Sequence, residues 1–500
     1  MFKKLKNLLS QSEEVKASTA YLICSVLLKC MAFITLPLFT NIMSMDENGF
    51  GTVYSSLLPI LIIFTSLNLP YGSFSTAMIK FENDRDGYIS SVNTICILLV
   101  GIYFAGYLPF MDFWNDLAGL PTVLMLLMGF EMLFSTSTQF WMGKARFEYK
   151  YKPFVKVTII QSILGTAASI CLVLILTECQ GIARVIGYSM VSCIIGSVLL
   201  VDSIAKGKKC FNKTYWKYAI SFNIPLIPYY LSQVIFNQSD RLMISSMTGR
   251  GDAAMYNVAY SLAFILTFVL NALNNSFVPW MYRKIKANDT KEIHKVSMII
   301  AGIMSVLLLG VILIAPEFIL IMSNPDYLPA VWVVPPVSMS LLLLFYSQLF
   351  INVEFYFEQK NKLVIASILS ALVNIVLNYF GILYFGFVVA GYTTFLSYIL
   401  FAVCNYFAMR KVCREKGLDE NIYNMKHLVA LLLIFSVVGF GVMALYPFRI
   451  IRYAVILVAL VVMFIFRKKV IKIVADLFAG FKEKKDIAKE PEKEQKEEKA

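Results

Sequence analysis

Apolar residues run along this chain in long blocks bounded by charges, Pro, Gly, Asn or Asp. A block of about 20 apolar residues is what an α-helix needs to cross a hydrocarbon layer roughly 30 Å thick. Windows drawn between those boundaries predict spans at 18–42, 50–73, 88–110, 120–142, 155–176, 184–202 and 218–247. Further windows fall at 253–281, 296–316, 330–352, 362–380, 385–408, 427–446 and 451–467, which makes fourteen. The last two are separated only by Tyr446–Ile450. The predicted fold class is therefore an all-α polytopic membrane protein.

Composition supports the pattern. Hydrophobic side chains make up 58% and charged ones 15%, with a mean hydropathy of +0.69. Soluble domains carry about 45–50% apolar and roughly 25% charged residues, and a large core would not remove the charges a wet surface needs. Two histidines leave no room for a His-based metal cluster, so neither metal nor cofactor is expected. The net charge of +13 could suggest nucleic acid, but the positions of the charges exclude that partner. With the N-terminus inside, the termini and the loops after even-numbered spans hold 39 Lys and Arg. The other side holds four: Arg184, Arg250, Arg449 and Arg452. That asymmetry places both termini in the cytoplasm and makes the charge a matter of topology. Residues 1–17 read as a retained amphipathic cytoplasmic arm. The run 480–500 sets seven Lys against seven acidic residues and reads as a disordered tail. Most of the nine cysteines lie in apolar segments or near basic loops and read as small hydrophobes. Only Cys179 is assigned to the far side, where it has no cysteine to pair with.

Part of the chain repeats. Residues 67–80, LNLPYGSFSTAMIK, match 270–283, LNALNNSFVPWMYR, at an offset of 203. Upstream, Asp46, Phe50, Tyr54 and Ser55 match Asp252, Tyr256, Tyr260 and Ser261 at an offset of 206. Six spans separate the copies, so they share one orientation. Parallel repeats predict two six-helix lobes, 18–202 and 218–408, about a pseudo-two-fold axis and a central cavity. A cytoplasmic linker at 203–217 would join them, with two extra spans over 427–467. Loops between the spans are short, the longest being 409–426, which favours translocation over chemistry and predicts no enzyme.

Several stretches carry a resemblance: ITLPLFTNIMSMDENGFGTVYSSL, then FNIPLIPYYLSQVIFNQSDRLMISSMTGRGDAAMYNVAYSL, then SFVPWMYRKI. The Asp-Arg pair followed by Gly and by Tyr-Asn-Val-Ala-Tyr is the most distinctive part. Together with two lobes plus two spans, these stretches resemble the multidrug/oligosaccharidyl-lipid/polysaccharide superfamily. Within it they are similar to the Wzx-type O-antigen and capsule flippases. The resemblance implies movement of polyprenyl-pyrophosphate-linked oligosaccharide from the cytoplasmic to the outer leaflet. It leaves H+ or Na+ open as a coupling partner, alongside membrane lipids. The physics agrees: an anionic pyrophosphate and its sugars cannot cross hydrocarbon unaided, while the lipid tail need never leave it.

Charged groups inside spans are costly and default to functional candidates. Lys29 sits near the middle of span 1, on a face with Ser18, Tyr21 and Ser25 at helical spacings. It either meets substrate phosphate or pairs with Glu131 of span 4, itself a candidate ion-coupling group. In span 7, Asn223, Tyr230, Asn237 and Arg241 recur at spacings of seven, seven and four. Tyr230, Asn237 and Arg241 are candidate substrate contacts and Asp240 a candidate proton or cation site, unless the last two form a structural clamp at the outer gate. Pro225 and Pro228 predict a kink. Amides such as Asn93, Asn274 and Asn378 are expected to bond helix to helix, and Glu354 to lie on a solvated face.

Three other functions compete. A lipid II-type precursor flippase would show more basic residues at span centres. A multidrug–cation antiporter of the same fold needs an acidic centre in span 1, where this chain has Lys29. A membrane polymerase or ligase needs an acid/base constellation and larger external loops. Alternating access by rocking of the two lobes should bring outer loops 43–49 and 248–252 together.

Overall fold

The computed structural model describes residues 13–287, 289–359 and 361–482. Among them every regular element is helical. In chain order these are α1 (Glu13–Ile42), α2 (Met45–Ser66), α3 (Phe74–Lys80), α4 (Arg85–Tyr107), α5 (Met111–Ala118), α6 (Thr122–Phe147), α7 (Tyr151–Ile175), α8 (Gln180–Gly207) and α9 (Lys213–Asn223). Then come α10 (Ile227–Met247), α11 (Arg250–Phe264), α12 (Thr267–Lys286), α13 (Thr290–Met322), α14 (Val334–Tyr356), α15 (Asn361–Phe385), α16 (Val389–Glu415), α17 (Met425–Met443) and α18 (Arg449–Lys482). Among the described residues, thirteen helical runs are long and apolar enough to cross a membrane. They coincide with predicted spans 2 to 14, and α1 covers the first.

Differences from prediction occur where Pro and Gly act. Span 2 stops at Ser66, because Leu67 and Asn68 take left-handed φ values of 48° and 51°. The chain turns through Pro70 and Gly72 before resuming as α3. The second copy of the repeat has Leu273 and Asn275 at those two positions and runs through unbroken α12. Proline's missing donor and glycine's freedom thus break one copy and spare the other. Asp46 and Asp252 do keep equivalent places, in the first turns of α2 and α11. The predicted kink in span 7 is a 3-10 turn at Ile224–Leu226, between α9 and α10. Glu354 is fully buried, not solvated, because α14 is enclosed along most of its length.

The chain gathers into two compact units. One holds the residues up to Asn257 with Leu320–Tyr327 and Ile375–Ala390. Its central helix is α8, packed on α7, α6, α4 and α2. Glycines make that packing close: a Cβ at Gly187 would lie 2.5 Å from the Ser169 backbone, and one at Gly196 would lie 2.4 Å from the Phe134 carbonyl oxygen. Helices in lipid gain little from excluding water, so small residues that let backbones approach take over the role.

The second unit holds Val258–Ile319, Leu328–Asn374 and the chain from Gly391. There Tyr423 donates to the Leu349 carbonyl at 2.9 Å and Tyr446 to that of Ile312 at 2.8 Å. Buried Arg452 pairs with Glu317 and so ties the start of α18 to α13. Further along, Leu457, Val461 and Phe464 of α18 stand exposed. A helix apolar on all sides belongs in lipid.

Candidate functional site

The candidate residues fall into three places, all within the first unit. Lys29 belongs to α1, but its side chain lies outside the described residues. Glu131 of α6 is 6% exposed and accepts a 2.7 Å hydrogen bond from Tyr54 of α2, with Ser189 of α8 beside it. Three helices thus meet around one carboxyl group.

On α10, Asp240 is 1% exposed. It accepts from the Tyr256 hydroxyl of α11 at 2.7 Å and from Asn378 Nδ2 of α15 at 2.5 Å. Arg241 beside it is also buried. Its Nε donates to Asn257 Oδ1 at 2.8 Å, and its Nη1 to the Asn237 carbonyl at 2.7 Å and to Gln238 Oε1 at 3.4 Å. In these hydrogen bonds the two charges, neighbours in sequence and roughly 100° apart about a helix, reach different groups, while the Arg241 guanidinium also lies 6.0 Å from the centroid of the Tyr256 ring. Asn237 is half-buried, and its side chain turns back to the Gln233 carbonyl at 2.7 Å. Tyr230, also half-buried, lies against Tyr229 with ring centroids 5.4 Å apart.

Asn223 does not share that setting. It is fully buried, donates to Ser73 Oγ and to the Ala219 carbonyl, each at 2.7 Å, and accepts from Ser73 N at 3.3 Å. The intervening 3-10 turn advances about 20° more per residue than an α-helix, which carries Asn223 off the α10 face. Among the asparagines expected to link helices, Asn93 accepts from Ser137 and Asn352 donates to Asn274.

A cavity of about 620 Å³ opens near the ends of α2, α5 and α10, with Asp46, Asp116, Ser246 and Arg250 in its lining. Sequence reasoning placed Asp46 and Arg250 in outer loops 43–49 and 248–252, which it expected to close on each other, but singled out neither side chain. The repeat that includes Asp46 was the available clue. Among the described residues no cluster of His, Cys, Asp and Glu is arranged to hold a metal ion.

Residues 15–285 match the family described as polysaccharide biosynthesis protein. The chain belongs to that family. The match takes in α2 to α11, so Glu131, Asp240 and Arg241 lie in the matched region, while Asn378, which donates to Asp240, lies beyond it. Two Haemophilus influenzae proteins are similar to it. One, described as an uncharacterized membrane protein, is 22% identical over 377 residues, covering 72% of this chain and 88% of the relative. The other, the Lsg locus putative protein 1, is 20% identical over 296 residues, covering 56% and 69%.

Among solved structures, the lipid II flippase MurJ in an inward closed conformation matches with a TM-score of 0.69 at 14% identity. That match covers 90% of this chain and 99% of the other. An inward-facing multidrug resistance MATE family transporter matches at 0.58 and 11% identity, covering 77% and 95%. This member of the polysaccharide biosynthesis family is thus a multi-pass membrane protein with the fold of flippases and multidrug transporters.

Proposed function

We propose that this protein is a flippase. It would move polyprenyl-pyrophosphate-linked oligosaccharide across the bacterial cytoplasmic membrane for O-antigen, capsule or exopolysaccharide synthesis, by alternating access and without chemical conversion. The observation that carries the reading is the family match over residues 15–285 on a chain built of membrane-crossing helices. Both termini would lie in the cytoplasm, following the distribution of Lys and Arg.

Lys29 and Arg241 would face the anionic cargo, with Tyr230 and Asn237 as polar contacts along α10. Asp240 and Glu131 would serve H+ or Na+ coupling. A carboxyl group held by a tyrosine in a buried site can exchange a charge only at a cost its partners must offset, which is why such residues attract this reading. The fold of the lipid II flippase MurJ supports a second reading, a peptidoglycan-precursor flippase.

Depletion of the protein should abolish surface polysaccharide and accumulate its lipid-linked precursor on the inner leaflet. Accumulation of the peptidoglycan precursor in its place would select the second reading. For Lys29, charge should matter: Lys29→Arg keeps partial translocation and Lys29→Gln loses most of it, because pyrophosphate leaving water needs cations or donors in exchange. Recovery of activity on neutralising Lys29 and Glu131 together would assign Lys29 to pairing instead.

A further inference from the structure

The first turn of α2 and the start of α11 meet at one end of the unit that holds both. Arg250 donates to Asp46 from Nη2 at 2.9 Å and from Nε at 3.4 Å. Its guanidinium lies 3.9 Å from the centroid of the Phe50 ring. The backbones are equally near: a Cβ at Gly49 would stand 2.4 Å from the Arg250 carbonyl oxygen, an approach only glycine permits. Gly249, at φ +123°, makes the turn from α10 into α11 that presents Arg250. Beside this contact lies the 620 Å³ cavity, whose wall includes Val53, only 1% exposed.

Asp46 and Phe50 belong to the first copy of the internal repeat, and Arg250 lies just before Asp252 of the second. A carrier whose halves separate at this end must break this contact. Its construction suits breaking. The ion pair is partly exposed, with 58% of the Asp46 side chain and 32% of the Arg250 side chain accessible, and such pairs hold weakly. The glycine contact adds closeness without interlocking side chains.

We propose that the Asp46–Arg250 clasp, with Gly49 and Phe50 beneath it, is the gate at this end of the transport path. The proposal rests on the reading of the protein as an alternating-access carrier, and it names the residues that close the end assigned to the outside.

Geometry supplies a lock. A Cβ at Gly251 would lie 3.5 Å from Met45 Cβ, within the span of about 3.5–4.5 Å that disulfides use. In a Cys179→Ser background, oxidation of Met45→Cys/Gly251→Cys should stop translocation, and reduction should restore it. Full translocation with the bond quantitatively formed would overturn the gate.

A second measurement needs no cargo. Val53→Cys should react with an impermeant maleimide on the order of fivefold faster when Asp46→Asn removes the ion pair, the scale of an exposed pair. It should react more slowly in the locked form. The charge-swapped pair Asp46→Arg/Arg250→Asp should return the rate toward its original value while each single change keeps it high. A rate indifferent to all of these would also overturn the gate. Modulated labelling without movement of any lipid-linked saccharide would keep the gate and refute the cargo.

Discussion

Asn223 shows how much one side chain can settle. Its Oδ1 occupies the space a Cβ would need at Gly72, at a separation of 1.8 Å. Gly72→Ala must therefore expel the amide from its place between Ser73 and Ala219. Asn223→Ala removes the same hydrogen bonds directly, which for buried partners costs about 1–3 kcal/mol. We expect both single variants to lower the thermal unfolding temperature in detergent. The double variant should be about as stable as the worse single one, since the alanine at 223 makes room for the alanine at 72. Strict additivity would show that Gly72 matters for its backbone alone. Sequence reading placed Asn223 with the transport residues because spacing in an unbroken helix says so. The partner that claims it, Ser73, lies 150 positions away.

Elements were legible wherever their length was set by the membrane, and less so elsewhere. Thirteen of the fourteen windows coincide with runs able to cross a membrane, because each must hold enough apolar residues to span hydrocarbon. α5 was missed: its eight residues, including exposed Phe113 and Trp114, are too few for such a window. Buried charges could be found, since Glu131, Asp240 and Arg241 stand out within apolar runs. Their partners could not, because Tyr54, Asn378 and Asn257 come from other helices. Loops outside the spans also carry order. Between α16 and α17, Glu420 accepts from Arg414 Nε at 2.7 Å and Arg410 Nε at 3.0 Å. These guanidinium groups, Arg414 foremost, hold the Glu420 carboxyl down to about 2. A depressed folded value means that the clamp contributes fully above the ordinary carboxylate range, about pH 4.3, and is lost as pH falls through about 2. Hydrogen-exchange protection in residues 416–424, taken relative to the intrinsic amide rate at each pH, should be high at pH 5 and fall on acidification toward pH 2. Equal protection at both ends would mean that Glu420 does not order this loop.

At the scale of the whole molecule, orientation is the property most open to a decisive test. The arrangement of Lys and Arg predicts Cys179, between α7 and α8, on the outside and Cys210, between α8 and α9, in the cytoplasm. Neither is buried, and both are free thiols. With each retained as the single cysteine, impermeant maleimide on intact cells should modify Cys179 and spare Cys210. The reverse pattern would invert the topology, and with it the direction of transport.

The turn at Asn223 has a mechanical side. Two membrane helices are interrupted here, α2–α3 at residues 67–73 and α9–α10 at 224–226, and one amide is bonded across both interruptions. On one side of this level α2 packs along α10. On the other, Thr76 of α3 meets Tyr218 of α9 at 2.8 Å, and Lys80 lies 4.4 Å above the same ring. The two helices therefore form a paired joint with a shared pin. A flex in either one would be passed to the other, so the α3–α9 half would have to move as a single leaf on the α2–α10 half.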